Sequence, residues 1–398
     1  MKKLYFSRFK TCAMLYRALA CYLSLALMLG GCTSIPYQSL IEAGAPGRLA
    51  KRDTIPFELR AGYIVVRARL NDKMMPLDFI WDSGAPVSRL SKATLSYLGQ
   101  PERADAPVFQ LDSVQIGHTV FQQPAFQRID YEGYAGPKCI AEAGILGANF
   151  IRHCNWIIDF DQKHLILQPK ELPLSPGGAA YTLDFKTTPY GQPRLKWQIE
   201  DIGKANAIAA IGHEDGFHLQ TRKIPPNARK AYDRGIRHRF AAGVDTLYLI
   251  QSATAEAGPL KWQGALSLHS DAPASWIGND LWAQYNICLD FSANRLHLTP
   301  RSQPAPPDTP LPALGWMPHF TPKSELEVGF LIEGSPAWEA GLRMGDTIEQ
   351  IDRRAAPGWY NDFCTYLLEV ETQFGKPQKM MVKRKGSTPS LQLRVNPQ

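Results

Sequence analysis

The chain repeats itself, and the repeat limits its fold more than any other feature. Residues 147–169, GANFIRHCNWIIDFDQKHLILQP, lie over residues 278–300, GNDLWAQYNICLDFSANRLHLTP, at an offset of 131 with no gap. Gly147/Gly278, Asn155/Asn286, Asp159/Asp290, Phe160/Phe291, Leu165/Leu296, Leu167/Leu298 and Pro169/Pro300 are identical pairs. Each copy reads as a strand, a tight turn and a second strand. A repeat of this size implies two similar units made by duplication. Between residues 53 and 300, β-rich runs such as Tyr63-Ile64-Val65-Val66, Leu77-Asp78-Phe79-Ile80-Trp81 and Trp156-Ile157-Ile158-Asp159-Phe160 alternate with turn residues. The expected fold class is therefore mainly β.

The length of 398 residues leaves room for two or three domains. An apolar fraction of 44% with 20% charged residues fits a globular chain and excludes a mainly disordered or collagen-like one. The formal charge of +7 is concentrated at the start, where Lys2, Lys3, Arg8, Lys10 and Arg17 precede any acidic residue. An apolar run from Ala18 to Leu29 follows, then Gly30-Gly31-Cys32. A basic stretch, a short apolar stretch and small residues make a secretory signal. The run falls short of the roughly 20 apolar residues that span a bilayer. Leu29-Gly30-Gly31-Cys32 also resembles the bacterial lipobox. That resemblance implies cleavage before Cys32 and a diacylglycerol on its thiol. Thr33, in place of an aspartate, points to the outer membrane of a Gram-negative cell, with the protein facing the periplasm. The alternative is an ordinary secretory signal or an uncleaved anchor. Without residues 1–31, 39 basic groups face 37 acidic ones. The remaining chain is near neutral and gives no overall electrostatic reason to expect nucleic acid.

Of the seven cysteines, Cys12 and Cys21 precede the cleavage site and Cys32 is the lipidation site. Cys139, Cys154, Cys288 and Cys364 remain, and an oxidising compartment lets them pair. Cys139 and Cys154 are the nearest in sequence and the first candidate pair; the alternative is four buried thiols. No C-x-x-C occurs, which argues against a zinc ribbon or a thioredoxin-like site.

Phe79-Ile80-Trp81-Asp82-Ser83-Gly84-Ala85 closes an apolar strand, and Gly144-Ile145-Leu146-Gly147 follows about sixty residues later. Together with the closing hairpin at 159–167, these elements resemble the lobes of pepsin- and retropepsin-type aspartic peptidases. The resemblance implies that Asp82 is a catalytic carboxylate, Ser83 a hydroxyl tying two loops together, and Gly84 the turn residue. The chemistry needs two carboxylates about 3 Å apart, which cannot both ionise and so share one proton. One activates a water and the other acts as acid. For the second carboxylate, sliding the repeat to 132 sets Glu214 against Asp82, Asp215 against Ser83 and Gly216 against Gly84. Glu is a methylene too long for the family pattern, and a plain Asp-Gly turn is the favoured alternative. Three alternatives stay open. Lobe 2 supplies an unusual acid, two copies pair their first lobes, or cleavage is lost and a peptide-binding cleft remains.

No cofactor or metal is expected. His213 and His218 are five residues apart with a glycine between them, which does not suit a helical zinc motif. Arg222, Lys223, Arg229, Lys230, Arg234, Arg237 and Arg239 form a basic run against the single acid Asp233. A solvated loop is the expected role, with anionic lipid or an acidic substrate as the alternative.

From Pro300 to Pro312 there are six prolines in thirteen residues, the composition of an extended linker. Beyond it, Ser335-Pro336-Ala337 starts a helix with Ser as N-cap and Pro at its first position. Gly334-Ser335-Pro336-Ala337, Ala340-Gly341-Leu342 and Gly345-Asp346-Thr347-Ile348 resemble a bacterial PDZ domain. The resemblance implies an α/β unit with a peptide-binding loop at Leu314, Gly315, Trp316 and Met317, which would hold a peptide C-terminus. The alternative is a PDZ fold that packs on the body and binds no free ligand.

The expected organisation is a signal at 1–31, a tether at 32–52 and aspartic peptidase-like lobes at 53–172 and 178–300. A linker at 301–313 and a PDZ domain at 314–398 follow. The expected function is a lipid-anchored aspartic-type endopeptidase acting on periplasmic polypeptides, with PDZ-assisted recruitment. The alternative is an inactive peptide-binding lipoprotein. The oligomeric state stays open.

Overall fold

The computed structural model of the chain describes residues 39–47, 52–71, 75–100, 108–129, 139–172, 174, 177–214, 216–233, 245–270, 272–303, 314–321, 325–352, 354–356, 378–384, 386 and 390–395. The fold is mainly β, as expected, with 53% strand against 9% helix, so ladder register decides which residues meet. Among the described residues the strands form three sheets of nine, six and fourteen strands, with barrel and half-barrel shapes.

The nine-stranded sheet runs within residues 58–146. Its strand Tyr63–Leu70 alternates: Ile64, Val66, Ala68 and Leu70 enter the main core, while Val65, Arg67 and Arg69 occupy the opposite face. The six-stranded sheet holds both copies of the repeat at its centre, with Asn155–Asp159 against Tyr285–Asp290. Trp156 faces Leu289, Ile157 faces Cys288 and Ile158 faces Ile287. Ile157 and Cys288 are themselves 131 apart, so the pairing is symmetric about them and the duplicated hairpins meet as a pseudo-twofold.

The residues shared by the two copies are those this geometry uses. Asp159 Oδ1 accepts from Gln162 N at 2.8 Å, and Asp290 Oδ1 accepts from Ala293 N at 2.9 Å. Each carboxylate thereby caps its own turn, whose left-handed residue is Lys163 (φ 55°) in one copy and Asn294 (φ 54°) in the other. The asparagines reach across the seam. Asn155 Nδ2 donates to Ser292 Oγ at 2.8 Å, and Asn286 Oδ1 accepts from Phe160 N at 2.8 Å. Phe160 meets Phe57 edge-on at 5.8 Å, and Phe291 meets Phe185 edge-on at 5.7 Å.

The fourteen-stranded sheet runs from strands within residues 186–277 into the C-terminal segment. Arg229–Asp233 pairs antiparallel with Leu326–Ile332, with Ala231 opposite Ile332 and Tyr232 opposite Leu331. Arg229 Nη2 donates to Gly334 O at 2.8 Å, and Tyr232 OH donates to Glu333 Oε2 at 3.2 Å. The Tyr232 ring stacks on Trp338 at 5.9 Å with an 8° tilt. This corrects the expectation of a solvated basic loop for Arg229 and Lys230, which lie on a strand joining two parts of the chain. Arg222 and Lys223 are exposed, and Arg234, Arg237 and Arg239 lie outside the described residues. The expected helix start is present: over Pro336–Glu339, Ser335 Oγ accepts from Trp338 N at 3.3 Å with Pro at the first turn.

The candidate pairing of Cys139 with Cys154 is corrected. Cys139 is disulfide-bonded, but Cys154 and Cys288 are free thiols. Cys154 is fully buried in the core, so its side chain packs as a small hydrophobe.

Candidate functional site

Asp82 follows the strand Leu77–Trp81, which pairs in parallel with Gly144–Leu146. The Asp82 N–H donates to Leu146 O at 3.0 Å, and this bond anchors the turn. Gly84 N donates to Asp82 Oδ1 at 2.7 Å. The carboxyl is 4% exposed and the Ser83 side chain fully buried. Burial pushes the Asp82 pKa above the usual carboxylate range. His213, the N–H groups of Gly84 and Ala85, and Arg89 pull it the other way without overcoming the burial.

Ser83 ties this loop to the loop after Gly203–Ala209. Its Oγ donates to Ala209 O at 2.6 Å and accepts from Ile211 N at 2.9 Å, and its N–H donates to Ile211 O at 3.0 Å. Gln192 adds a clamp from the same side: its Nε2 donates to Gly84 O, and its side chain is buried against Thr188. A Cβ on Gly84 would come within 2.4 Å of the Ala210 Cβ, so the approach of the two loops requires glycine there. Gly212 (φ +99°) serves the partner loop, where a Cβ would stand 1.8 Å from Trp81 O.

The strand registers define which residue of the second loop corresponds to Asp82. Gly203–Ala209 pairs in parallel with Ser275–Ile277, with Ala209 opposite Ile277, as Trp81 stands opposite Leu146. Ala210 N then donates to Ile277 O at 2.8 Å, as Asp82 N does to Leu146 O. Ala210 therefore corresponds to Asp82, Ile211 to Ser83 and Gly212 to Gly84, at an offset of 128. The alignment at 132 that matched Glu214 with Asp82 does not describe these loops. Glu214 stands four residues beyond the corresponding position, half-buried, with its Cβ 3.0 Å from where a Cβ on Gly62 would be. Asp215 lies outside the described residues. Thr54/Thr182 and Phe57/Phe185 carry the same offset of 128 in the sequence and were the available signal for it. Gln192 and Ala210 had no local mark of their own.

The two loops are roofed by the turn at Ala61-Gly62. Ile64 N donates to Gly212 O at 3.1 Å, and Asn279 Nδ2 donates to Gly62 O at 2.7 Å. The Tyr63 and His213 rings meet edge-on at 5.3 Å.

In the C-terminal segment, Leu314 O accepts from Ala337 N at 3.0 Å and Gly315 O accepts from Ile332 N at 2.8 Å. Gly315 has φ +75°, and a Cβ there would lie 2.1 Å from the Ser335 Cβ. Leu314 and Trp316 are fully buried, and Met317 sits at a bulge in the ladder between Trp316–Phe320 and Leu326–Ile332. Cys32 lies outside the described residues. No protein-family model and no curated protein matches the chain.

Proposed function

We propose that residues 53–300 form a two-lobed body of aspartic-peptidase type that binds an extended polypeptide without hydrolysing it by the two-carboxylate route. Ala210 carries this reading. A methyl group holds the position corresponding to Asp82, so the shared proton that distinguishes base from acid has no second owner there. Asp82 alone, buried and biased toward its protonated form, is a poor base for water. Ser83 and Gln192 act as structural ties between the lobes. The C-terminal unit is read as a PDZ domain held against lobe 2 by Arg229–Asp233, and Cys32 as the lipid anchor that faces the body into the periplasm.

The endopeptidase reading retains one specific support. Asp82 is buried, held by the Gly84 N–H and raised in pKa, as a catalytic acid would be. Incubating the chain from residue 33 with unfolded protein between about pH 3 and 7 separates the two readings, because a carboxylate pair holds one proton in that range. Binding without cleavage is expected. Cleavage that disappears in Asp82→Ala and in Glu214→Gln or Asp215→Asn would refute the binding reading and restore the enzyme.

A further inference from the structure

A cavity on the nine-stranded sheet stands apart from the Asp82 loops. Ile140 and Ala141, both fully buried, pack over Val65 and Ile80 and close the sheet face between the cavity and Asp82. Arg60 Nη1 donates to Ile140 O at 3.0 Å and holds that cover down. Beyond the cover, residues 55–58 meet the strands Tyr63–Leu70, Leu77–Trp81 and Ser113–Ile116 around about 380 Å³ of space. That volume suits a small molecule. Ile55, Phe57 and Val65 give the cavity a buried apolar wall.

The charges of the lining do not balance. Both carboxylates are tied to Arg60, with Asp78 Oδ2 at 2.7 Å and Glu58 Oε2 at 2.8 Å. Arg67 reaches Asp78 only through Nε, at 3.3 Å, and keeps 69% of its side chain exposed. Arg69 is exposed, and its side chain has no hydrogen-bond or ion-pair partner among the described residues. Gln115, opposite Arg69 across the ladder, turns its Nε2 to Gly117 O at 3.0 Å. Three guanidinium groups thus face two carboxylates, and the surplus charge sits at Arg69. Arg67 and Arg69 share a sheet face about 7 Å apart along the strand, close enough to repel each other and to meet one anion between them.

We infer that this cavity binds a small organic monoanion, a carboxylate carried on a short apolar body. The body lies against Ile55, Phe57 and Val65, and the carboxylate lies between Arg67 and Arg69, whose planar forks match its two oxygens. One negative charge cancels the surplus, whereas a dianion would overshoot it beside Asp78 and Glu58. The site does not depend on how the Asp82 loops function, because the Ile140 and Ala141 cover separates the two.

The test titrates the chain from residue 33 with octanoate, octylamine and acetate, followed by saturation-transfer NMR of the probe. Octanoate should bind about tenfold more tightly than octylamine, the sum of two partly exposed ion pairs. Acetate, which lacks the apolar body, should bind at least about tenfold more weakly than octanoate. The octanoate advantage should shrink as salt rises from about 50 to about 300 mM, as expected for rim charges. Arg67→Gln/Arg69→Gln should abolish it with an unchanged circular dichroism spectrum. Arg69→Glu alone, at a side chain with no partner to lose, should turn the preference toward octylamine. Asp82→Asn should leave octanoate binding unchanged, and a loss there would place the ligand at the Asp82 loops and overturn the inference. Equal binding of octanoate and octylamine, or no binding of octanoate, overturns it as well. Acetate binding as tightly as octanoate would show simple ion pairing at the rim and refute the apolar wall. If the double variant loses only its binding to phosphatidylglycerol vesicles, the surface serves lipid and the inference is wrong.

Discussion

Ser83→Ala is the sharpest probe of the seam between the two loops. The hydroxyl is fully buried and makes two hydrogen bonds, to Ala209 O at 2.6 Å and from Ile211 N at 2.9 Å. Both partners are backbone groups inside the fold, so removing the oxygen strands one acceptor and one donor away from water. A typical intramolecular hydrogen bond contributes about 1 kcal/mol net, and a stranded buried partner costs a further 1–3 kcal/mol or so. Allowing for local relaxation, the loss should be about 2–4 kcal/mol, or roughly 30- to 800-fold in a local opening equilibrium. A chain of several units does not unfold in one step, so a global midpoint would blur the effect. Hydrogen exchange by mass spectrometry reads it locally. Peptides covering residues 80–90 and 205–214 should lose protection by that factor, while those covering 326–332 should not change. Ser83→Thr retains the hydroxyl and should lose less. A drop of under threefold in both loop peptides would show that the bonds contribute little and that the loops are held by Gln192 and packing instead.

Three other perturbations follow from the same geometry. Asp82→Asn mimics the protonated carboxyl. The folded pKa lies above the unfolded value of 3.8, so this residue's contribution to stability is complete below that pH and is lost as pH rises through the folded pKa. The Asn variant should therefore match the parent near pH 3 and become progressively more stable than it toward pH 7, as read by calorimetry; a gap that widens toward acid would contradict this. Gly84→Ala places a Cβ 2.4 Å from the Ala210 Cβ and 2.9 Å from its Cα, which should destabilise the seam by about 1–3 kcal/mol. Adding Ala210→Gly should recover part of that loss, and full additivity of the two changes in a double-mutant cycle would argue against the contact. Burial pushes the Cys154 thiol up to about 12 and the Cys288 thiol up to about 11, so both should react slowly with an aromatic disulfide reagent at pH 7.5 until the chain is denatured. Rapid native-state labelling of Cys154 would contradict its buried placement, and rapid labelling of Cys288 its half-buried one.

Much of the fold was legible in the chain because it rests on local chemistry. The hairpin repeat announced itself, since the residues it shares are an aspartate that caps a turn, an asparagine that crosses a seam and leucines that face the core. The roles of the aspartate and the leucines are met within a few residues or at a fixed two-residue alternation, so they leave a pattern that one sequence can display, whereas the asparagine shows only as a match between the two copies. The loop at Asp82-Ser83-Gly84 was visible for the same reason, since a polar turn closes an apolar strand there. The Ser335 cap and Pro336 likewise marked their helix.

The correspondence of Ala210 with Asp82 belonged to the tertiary structure. It depends on which residue of Gly203–Ala209 stands opposite Ile277, and parallel register is set by contacts between strands more than sixty residues apart. The repeat carries one offset in its hairpins and another in its loops, so sliding one rigid alignment reached Glu214. The strand Arg229–Asp233 read as charge on a surface, because nothing nearby in sequence marks Leu326–Ile332 as its partner. The pairing of Cys139 was equally a matter of distance in space, which spacing along the chain does not encode. The sequence alone therefore determined the duplicated β architecture and the first loop. Only tertiary contact decided what that loop faces, and it faces a methyl group.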